Sequence, residues 1–143
     1  MPSETFTHTA VAQAPTDSVW AALDLPSTWE SIGGIDKVVD PIVDSDGRLQ
    51  GFSFDSIVAG KSYRGEATPA GRDEGRLIGW DIQNSEIAGT ITVVLSPDAE
   101  ETNINVTLGV ESRGLLSGMF FSVVSKTIGS GLPRSVDEFA AGF

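Results

Sequence analysis

The chain of 143 residues contains no cysteine and a single histidine, His8. Without cysteine there is no disulfide scaffold, no thiolate nucleophile and no cysteine-ligated metal. One histidine cannot make a multi-histidine metal site, and neither a metal nor a cofactor is expected. Basic residues are scarce, with 9 Lys and Arg against 20 Asp and Glu and a net charge of −11. They lie scattered from Lys37 to Arg134, so no cationic stripe is available to neutralise nucleic-acid phosphates or an anionic membrane surface. Long apolar runs are missing too. The longest, near Leu115 to Val124, is interrupted by Ser117 and Gly118, and a membrane-spanning helix needs roughly 20 apolar residues. The opening Met1-Pro2-Ser3-Glu4-Thr5 has neither the positive start nor the apolar core of a signal peptide. The expectation is a soluble, cytoplasmic protein without a nucleic-acid partner or stable membrane insertion.

What is present suits one globular domain over residues 1–143, because 40% of residues are hydrophobic and 20% charged. Residues 5–12 read as a strand, rich in Thr, Phe and Val. Pro15 and Asp17 then mark a helix start, and Val19, Trp20 and Leu23 fall at helical spacing. Pro26 breaks that helix, and a second short one is expected over residues 27–32, ending at Gly33-Gly34. From there the period changes to two. Strands are expected over 36–43, 48–59, 62–68, 75–83, 87–95 and 102–111. Turns are expected at Asp44-Ser45-Asp46-Gly47, Gly60-Lys61, Pro69-Ala70-Gly71 and Ser96-Pro97-Asp98. Ile104, Val106, Leu108 and Val110 alternate strictly, the pattern of a sheet packed on one side. After Gly114 the period returns to 3.6, and Leu115, Leu116, Met119, Phe120, Val123, Val124 and Ile128 form an apolar stripe. Gly129, Gly131 and Pro133 weaken or kink it before Val136, Phe139 and Ala140 resume. Only this C-terminal helix, from Leu115 to about Phe139, is long enough to cover the apolar face of the sheet.

Motifs for chemistry are sparse. Gly60-Lys61-Ser62 lacks the glycine of a phosphate loop, since position 55 is Asp55, and reads as a hairpin turn. Gly129-Ser130-Gly131 has no preceding strand and reads as the kink. Asn105-Val106-Thr107 lies within a strand and is no glycosylation site. His8 shares a strand face with Phe6 and Ala10 and has no serine motif or carboxylate pair beside it in sequence. No catalytic residue is assigned. By alternation Glu66 and Asp81 lie opposite the apolar faces of their strands. Asp55 is the first choice for a polar group reaching the interior and Tyr63 the second. Trp80, Phe54, Tyr63, Val106, Leu108, Phe120, Val123 and Val124 form an aromatic and aliphatic set that could be plain core or the wall of a cavity. Trp20 and Trp29 read as helix-packing residues.

The strand–Pro–helix entry Thr9-Ala10-Val11-Ala12-Gln13-Ala14-Pro15-Thr16-Asp17-Ser18-Val19-Trp20-Ala21-Ala22-Leu23, and the segment from Leu25 to Ile35 with its glycine exit, resemble the START-related, birch-pollen-allergen-like superfamily. It is also called the polyketide cyclase and lipid transport (SRPBCC) group. Arg113-Gly114-Leu115-Leu116-Ser117-Gly118, between the last strand and the final helix, is similar to its carbon monoxide dehydrogenase G-like branch. The resemblance implies an α+β helix-grip fold. In it a curved seven-stranded antiparallel sheet wraps a long C-terminal helix, with two short helices between the first and second strands. It also implies an apolar ligand held between sheet and helix. On that basis Phe54, Asp55, Tyr63, Trp80, Val106, Leu108, Phe120, Val123 and Val124 are the candidate ligand-binding residues. The function expected is a binding or carrier protein for a lipid, quinone or polyketide-like molecule. The alternatives are a cyclase- or hydrolase-like enzyme using polar residues of the same pocket, and a protein-interaction module.

Overall fold

Period-two patterning over the middle of the chain builds a curved antiparallel sheet, and the helices gather on its apolar face. The computed structural model describes residues 3–30, 32, 35–58, 60–84, 87–112, 125–126 and 128–143. The strands are β1 (Ser3–Ala12), β2 (Lys37–Val43), β3 (Leu49–Val58), β4 (Lys61–Asp73), β5 (Leu77–Gln83), β6 (Ile87–Asp98) and β7 (Glu101–Ser112). They lie in the order β1-β7-β6-β5-β4-β3-β2, and every neighbouring pair is antiparallel. Strands β2 to β7 form a meander, and β1 returns to pair with β7. Helix α1 (Thr16–Ala22), a 3-10 turn (Pro26–Trp29) and helix α2 (Leu132–Ala141) complete the described elements.

The second short helix is reduced to that single 3-10 turn, and its side chains show why. Thr28 Oγ1 donates to Ala22 O at 2.5 Å and Trp29 Nε1 to Leu23 O at 3.0 Å, folding the turn back onto the end of α1. Glu30 then leaves in extended conformation, and its carboxylate accepts the Val38 N–H at 3.0 Å. Ser31 and the expected glycine exit Gly33-Gly34 lie outside the described residues.

Two expected turns are strand instead. β4 runs through Pro69-Ala70-Gly71 to Asp73, because a register shift between Pro69 and Gly71 absorbs the proline without ending the pairing with β5. The real turn is one step later, where Arg76 N–H reaches Asp73 O at 2.9 Å. β6 likewise continues through Ser96-Pro97-Asp98 to a two-residue tip, with Asp98 opposite Glu101 and Ala99 at φ 55°. Pro97 lies beyond Val94, the last β6 residue paired with β5. There β6 has one neighbour, and a missing N–H is tolerated. At the opposite edge β2 is irregular, with Asp40 at φ 48° and register shifts between Val39 and Val43.

Inward-facing residues from every strand but edge strand β2 form one core with Val19, Leu23, Trp29, Leu132, Val136 and Ala140. Helical backbone is present at 125–126 and 128–130, and α2 follows after Gly131 with Pro133 in its first turn, where a missing N–H breaks no helical bond. The expected helix start at Leu115 and its stripe through Val124 lie outside the described residues. The close approach of helix to sheet depends on Gly129, since a Cβ there would overlap the Phe6 ring. Gly65 does the same between strands. A Cβ on it would overlap the Phe54 ring and come within 2.8 Å of Gln83 O.

Gly65→Ala is therefore expected to destabilise the fold by about 1–3 kcal/mol through overpacking. Gly109→Ala, whose Cβ would meet nothing within 4 Å, should change stability by less than about 0.5 kcal/mol. Urea unfolding of the two variants checks this, and equal midpoints would contradict it.

Candidate functional site

Alternation decides which side chains reach the concave face. In β3 it turns Phe52, Phe54 and Ser56 inward and buries all three, while Ser53, Asp55 and Ile57 face outward. In β5, Ile78, Trp80 and Ile82 face inward, and in β7 Ile104, Val106, Leu108 and Val110 do. Five of the candidate residues are thus brought together on one surface: Phe54, Tyr63, Trp80, Val106 and Leu108. Tyr63 is half-buried opposite Ser56, close to the β3–β4 turn, with the Lys61 ammonium 5.3 Å from its ring centre. Phe120, Val123 and Val124 lie outside the described residues.

Asp55 is the exception. It stands on the outer face, where its carboxylate accepts from Arg64 Nε at 2.6 Å across the β3–β4 pair. That hydrogen bond and its charge raise the Arg64 pKa above the ordinary arginine value. Ser56, the next residue, is the β3 polar group on the inner face, and parity alone separates the two. Asp81 is also exposed on the outer face, accepting from Thr90 Oγ1 at 3.1 Å, and Glu66 is exposed.

The deepest part of the concave face is aromatic. Trp80 packs edge-on against Phe52 (centroids 5.4 Å apart, planes at 67°) and against Trp29 (5.9 Å, 84°), and Phe52 meets Phe54 at 6.4 Å. Edge-to-face pairs of this kind contribute about 0.5–1.5 kcal/mol each beyond the area they bury. Trp29 is therefore part of the Trp80 environment and not an isolated helix-packing residue. Phe52 was visible in the sequence as the i−2 neighbour of Phe54 on the same strand face. The contact of Trp29 with Trp80 joins positions 51 apart and leaves no local signal. Trp80 is 1% exposed, and its Nε1 has no hydrogen-bond partner among the described residues.

Polar groups sit at the margins of this surface. At one end Arg72 donates to Asp24 Oδ1 at 2.6 Å and to Glu74 Oε1 at 3.0 Å, and lies over the Trp20 ring at 5.6 Å. Burial opposes its charge, but the two carboxylates outweigh that and hold its pKa above the ordinary value. Asp24 Oδ1 also accepts the Leu49 N–H at 3.1 Å, so this cluster ties the end of α1 to β3 and β4. At the far edge His8 Nε2 donates to Asp137 Oδ1 of α2 at 2.8 Å. The carboxylate only accepts, so the proton of this bond is on Nε2. His8 thus has a carboxylate partner that sequence proximity could not disclose. The side chains are 28% and 62% exposed, and the pair pins α2 to β1.

Among the described residues no group of three or more His, Cys, Asp or Glu is placed to hold a metal ion, and no helix is long and apolar enough to cross a membrane. A separate open depression of about 530 Å³ is lined by Glu4, Thr68, Asp81, Thr90 and Glu111 among others. Its acidic and hydroxyl lining contrasts with the apolar concave face.

Neither a protein-family profile nor a curated protein matches the sequence. Solved structures match its fold. A START superfamily protein from Mycobacterium smegmatis is 15% identical with a TM-score of 0.70, covering 94% of each chain. Zhui aromatase/cyclase from Streptomyces sp. R1128 is 17% identical with a TM-score of 0.72, covering 97% of this chain and 94% of that one. Truncated norcoclaurine synthase from Thalictrum flavum is 15% identical with a TM-score of 0.64, covering 97% and 91%. The chain has the helix-grip α+β fold of these START-related, birch-pollen-allergen-like proteins.

If the His8–Asp137 pair is a fastener between α2 and β1, a double-mutant cycle of His8→Ala and Asp137→Ala should show a coupling of about 0.2–1 kcal/mol, the range for exposed pairs. His8→Ala should leave the affinity for an apolar probe within about threefold, since deleting an exposed pair changes packing little. A hundredfold loss would place His8 in the site itself.

Proposed function

We propose that this chain binds a small apolar or amphipathic molecule, a lipid, quinone or polyketide-like compound, between the concave face of its sheet and the C-terminal helix. The observation that carries this reading is how the concave face sorts its side chains. Its centre is aliphatic and aromatic, and the polar side chains buried among the described residues are the hydroxyls of Ser56, Thr102, Ser112 and Ser125. Thr102 is engaged with Ala14 O at 2.8 Å. Hydroxyls orient a ligand without supplying a charge, whereas an acid–base reaction needs ionisable groups converging on it. Phe54, Tyr63, Trp80, Val106 and Leu108 are the described wall residues, and Ser56 replaces Asp55 as the β3 polar contact. Kinship with the carbon monoxide dehydrogenase G-like branch belongs to this proposal as well.

A second reading is a cyclase- or hydrolase-like enzyme acting in the same pocket. One observation favours it: the His8–Asp137 hydrogen bond, an arrangement that orients an imidazole for proton transfer. Native mass spectrometry of protein purified from its own host separates the two, because a carrier releases its co-purified molecule unchanged after incubation and an enzyme releases a product of different mass.

The neutral probe N-phenyl-1-naphthylamine should bind saturably, one per chain, with fluorescence rising on burial. Trp80→Ala should weaken it by about tenfold or more. Trp20→Phe is the control, since the Trp20 indole donates outward to Glu74 at 3.1 Å. An absence of saturable binding to the wild type would end the carrier reading and leave the fold alone.

A further inference from the structure

The three tryptophans are treated differently by the fold. Trp20 Nε1 donates to Glu74 Oε2 at 3.1 Å, and Trp29 Nε1 donates to Leu23 O at 3.0 Å. Trp80, central and 1% exposed, keeps its indole N–H without an acceptor among the described residues. A buried donor left unpaired carries its full desolvation penalty, and buried indole N–H groups ordinarily find a partner. Phenylalanine would present a ring to Phe52 and Trp29 without that penalty, so packing does not explain the N–H. The indole that carries this donor packs among rings, with the ring centres of Phe52 at 5.4 Å and Trp29 at 5.9 Å from its own, and Phe54 beyond Phe52. Aromatic edges and faces in such a group recognise another ring by the same quadrupole geometry that holds them together.

We propose that the Trp80 Nε1–H is the hydrogen-bond donor for the bound molecule, which is a ring-bearing apolar compound with an acceptor oxygen, such as a ketone, quinone or phenol, at its buried end. This rests on the carrier reading above and narrows it: a plain hydrocarbon or acyl chain would leave the donor unpaired. The complex then satisfies in its liganded form the one polar side-chain atom that the described residues bury and leave unpartnered.

The test compares two rigid probes of nearly equal size, 9-fluorenone, which carries a ketone oxygen, and fluorene, which does not. Binding is measured by equilibrium dialysis against wild type and against Trp80→Phe, which keeps a ring and removes the N–H. Wild type should prefer 9-fluorenone about tenfold, which corresponds to about 1.4 kcal/mol for the hydrogen bond. Trp80→Phe should bind both probes with the same affinity. In the ¹⁵N-labelled wild type the Trp80 indole proton, assigned with Trp20→Phe and Trp29→Phe, should shift downfield with 9-fluorenone and not with fluorene. That readout stands even if Trp80→Phe does not fold. Equal affinity of wild type for both probes, a preference that persists in Trp80→Phe, or an indole signal unmoved by 9-fluorenone overturns the assignment and leaves the carrier reading intact. Failure of both probes to bind overturns the carrier reading and this assignment with it.

Discussion

A sheet of seven antiparallel strands with one apolar face must cover that face, and this constraint organises the molecule. Strand alternation places the apolar side chains, curvature turns them toward one another, and α1, the 3-10 turn and α2 serve as cover. That cover needs fastening, because elements resting on an apolar surface could slide. The fasteners are polar and peripheral. Arg72, gripped by Asp24 and Glu74 and stacked over Trp20, fixes the end of α1 against β3 and β4. Glu30 fixes the exit of the 3-10 turn to Val38, and His8 fixes α2 through Asp137. Direction comes from these charged contacts, and the driving force comes from burial.

Much of this architecture is legible from periodicity. Ile104, Val106, Leu108 and Val110 announce their strand and its buried face, and the return to a 3.6 period near Gly114 marks where the sheet ends. The illegible parts are those in which tertiary context overrode local chemistry. Pro69 and Pro97 carry turn signals, yet pairing with a neighbouring strand continues past both, helped by a register shift in one case and a missing neighbour in the other. Thr28 and Trp29 ended a helix by bonding backward to Ala22 and Leu23, which no propensity scale registers. The START-related resemblance rests on the Pro15 entry and the segment after Leu25, and it led to the fold observed.

The candidate site was legible to the extent that strand parity was. Trp80, Val106 and Leu108 sit in strands whose two faces differ plainly in polarity, so their orientation followed from the pattern. Phe54 and Asp55 share β3, where Ser53, Asp55 and Ser56 blur the contrast between the two faces; parity turns Asp55 to the outer face, where it meets Arg64 of the adjacent strand. The pairing of His8 with Asp137 joins the first strand to the last helix, 129 positions apart. Contacts of that range are set by topology and are invisible to any local window.

The irregular edge at β2 has a consequence for how the sheet ends. A regular edge strand offers a row of N–H and C=O groups on which another chain can build. In β2, Asp40 turns to positive φ, Pro41 has no N–H, and the register slips twice before Val43. A strand arriving from another molecule would lose its hydrogen-bond ladder after two or three residues. Ile42 and Val43 are 61% and 47% exposed there, the sort of apolar pair that would otherwise seed cross-β stacking between copies. The broken backbone thus acts as a terminator, leaving an arriving strand no continuous ladder to build on beside this half-apolar edge.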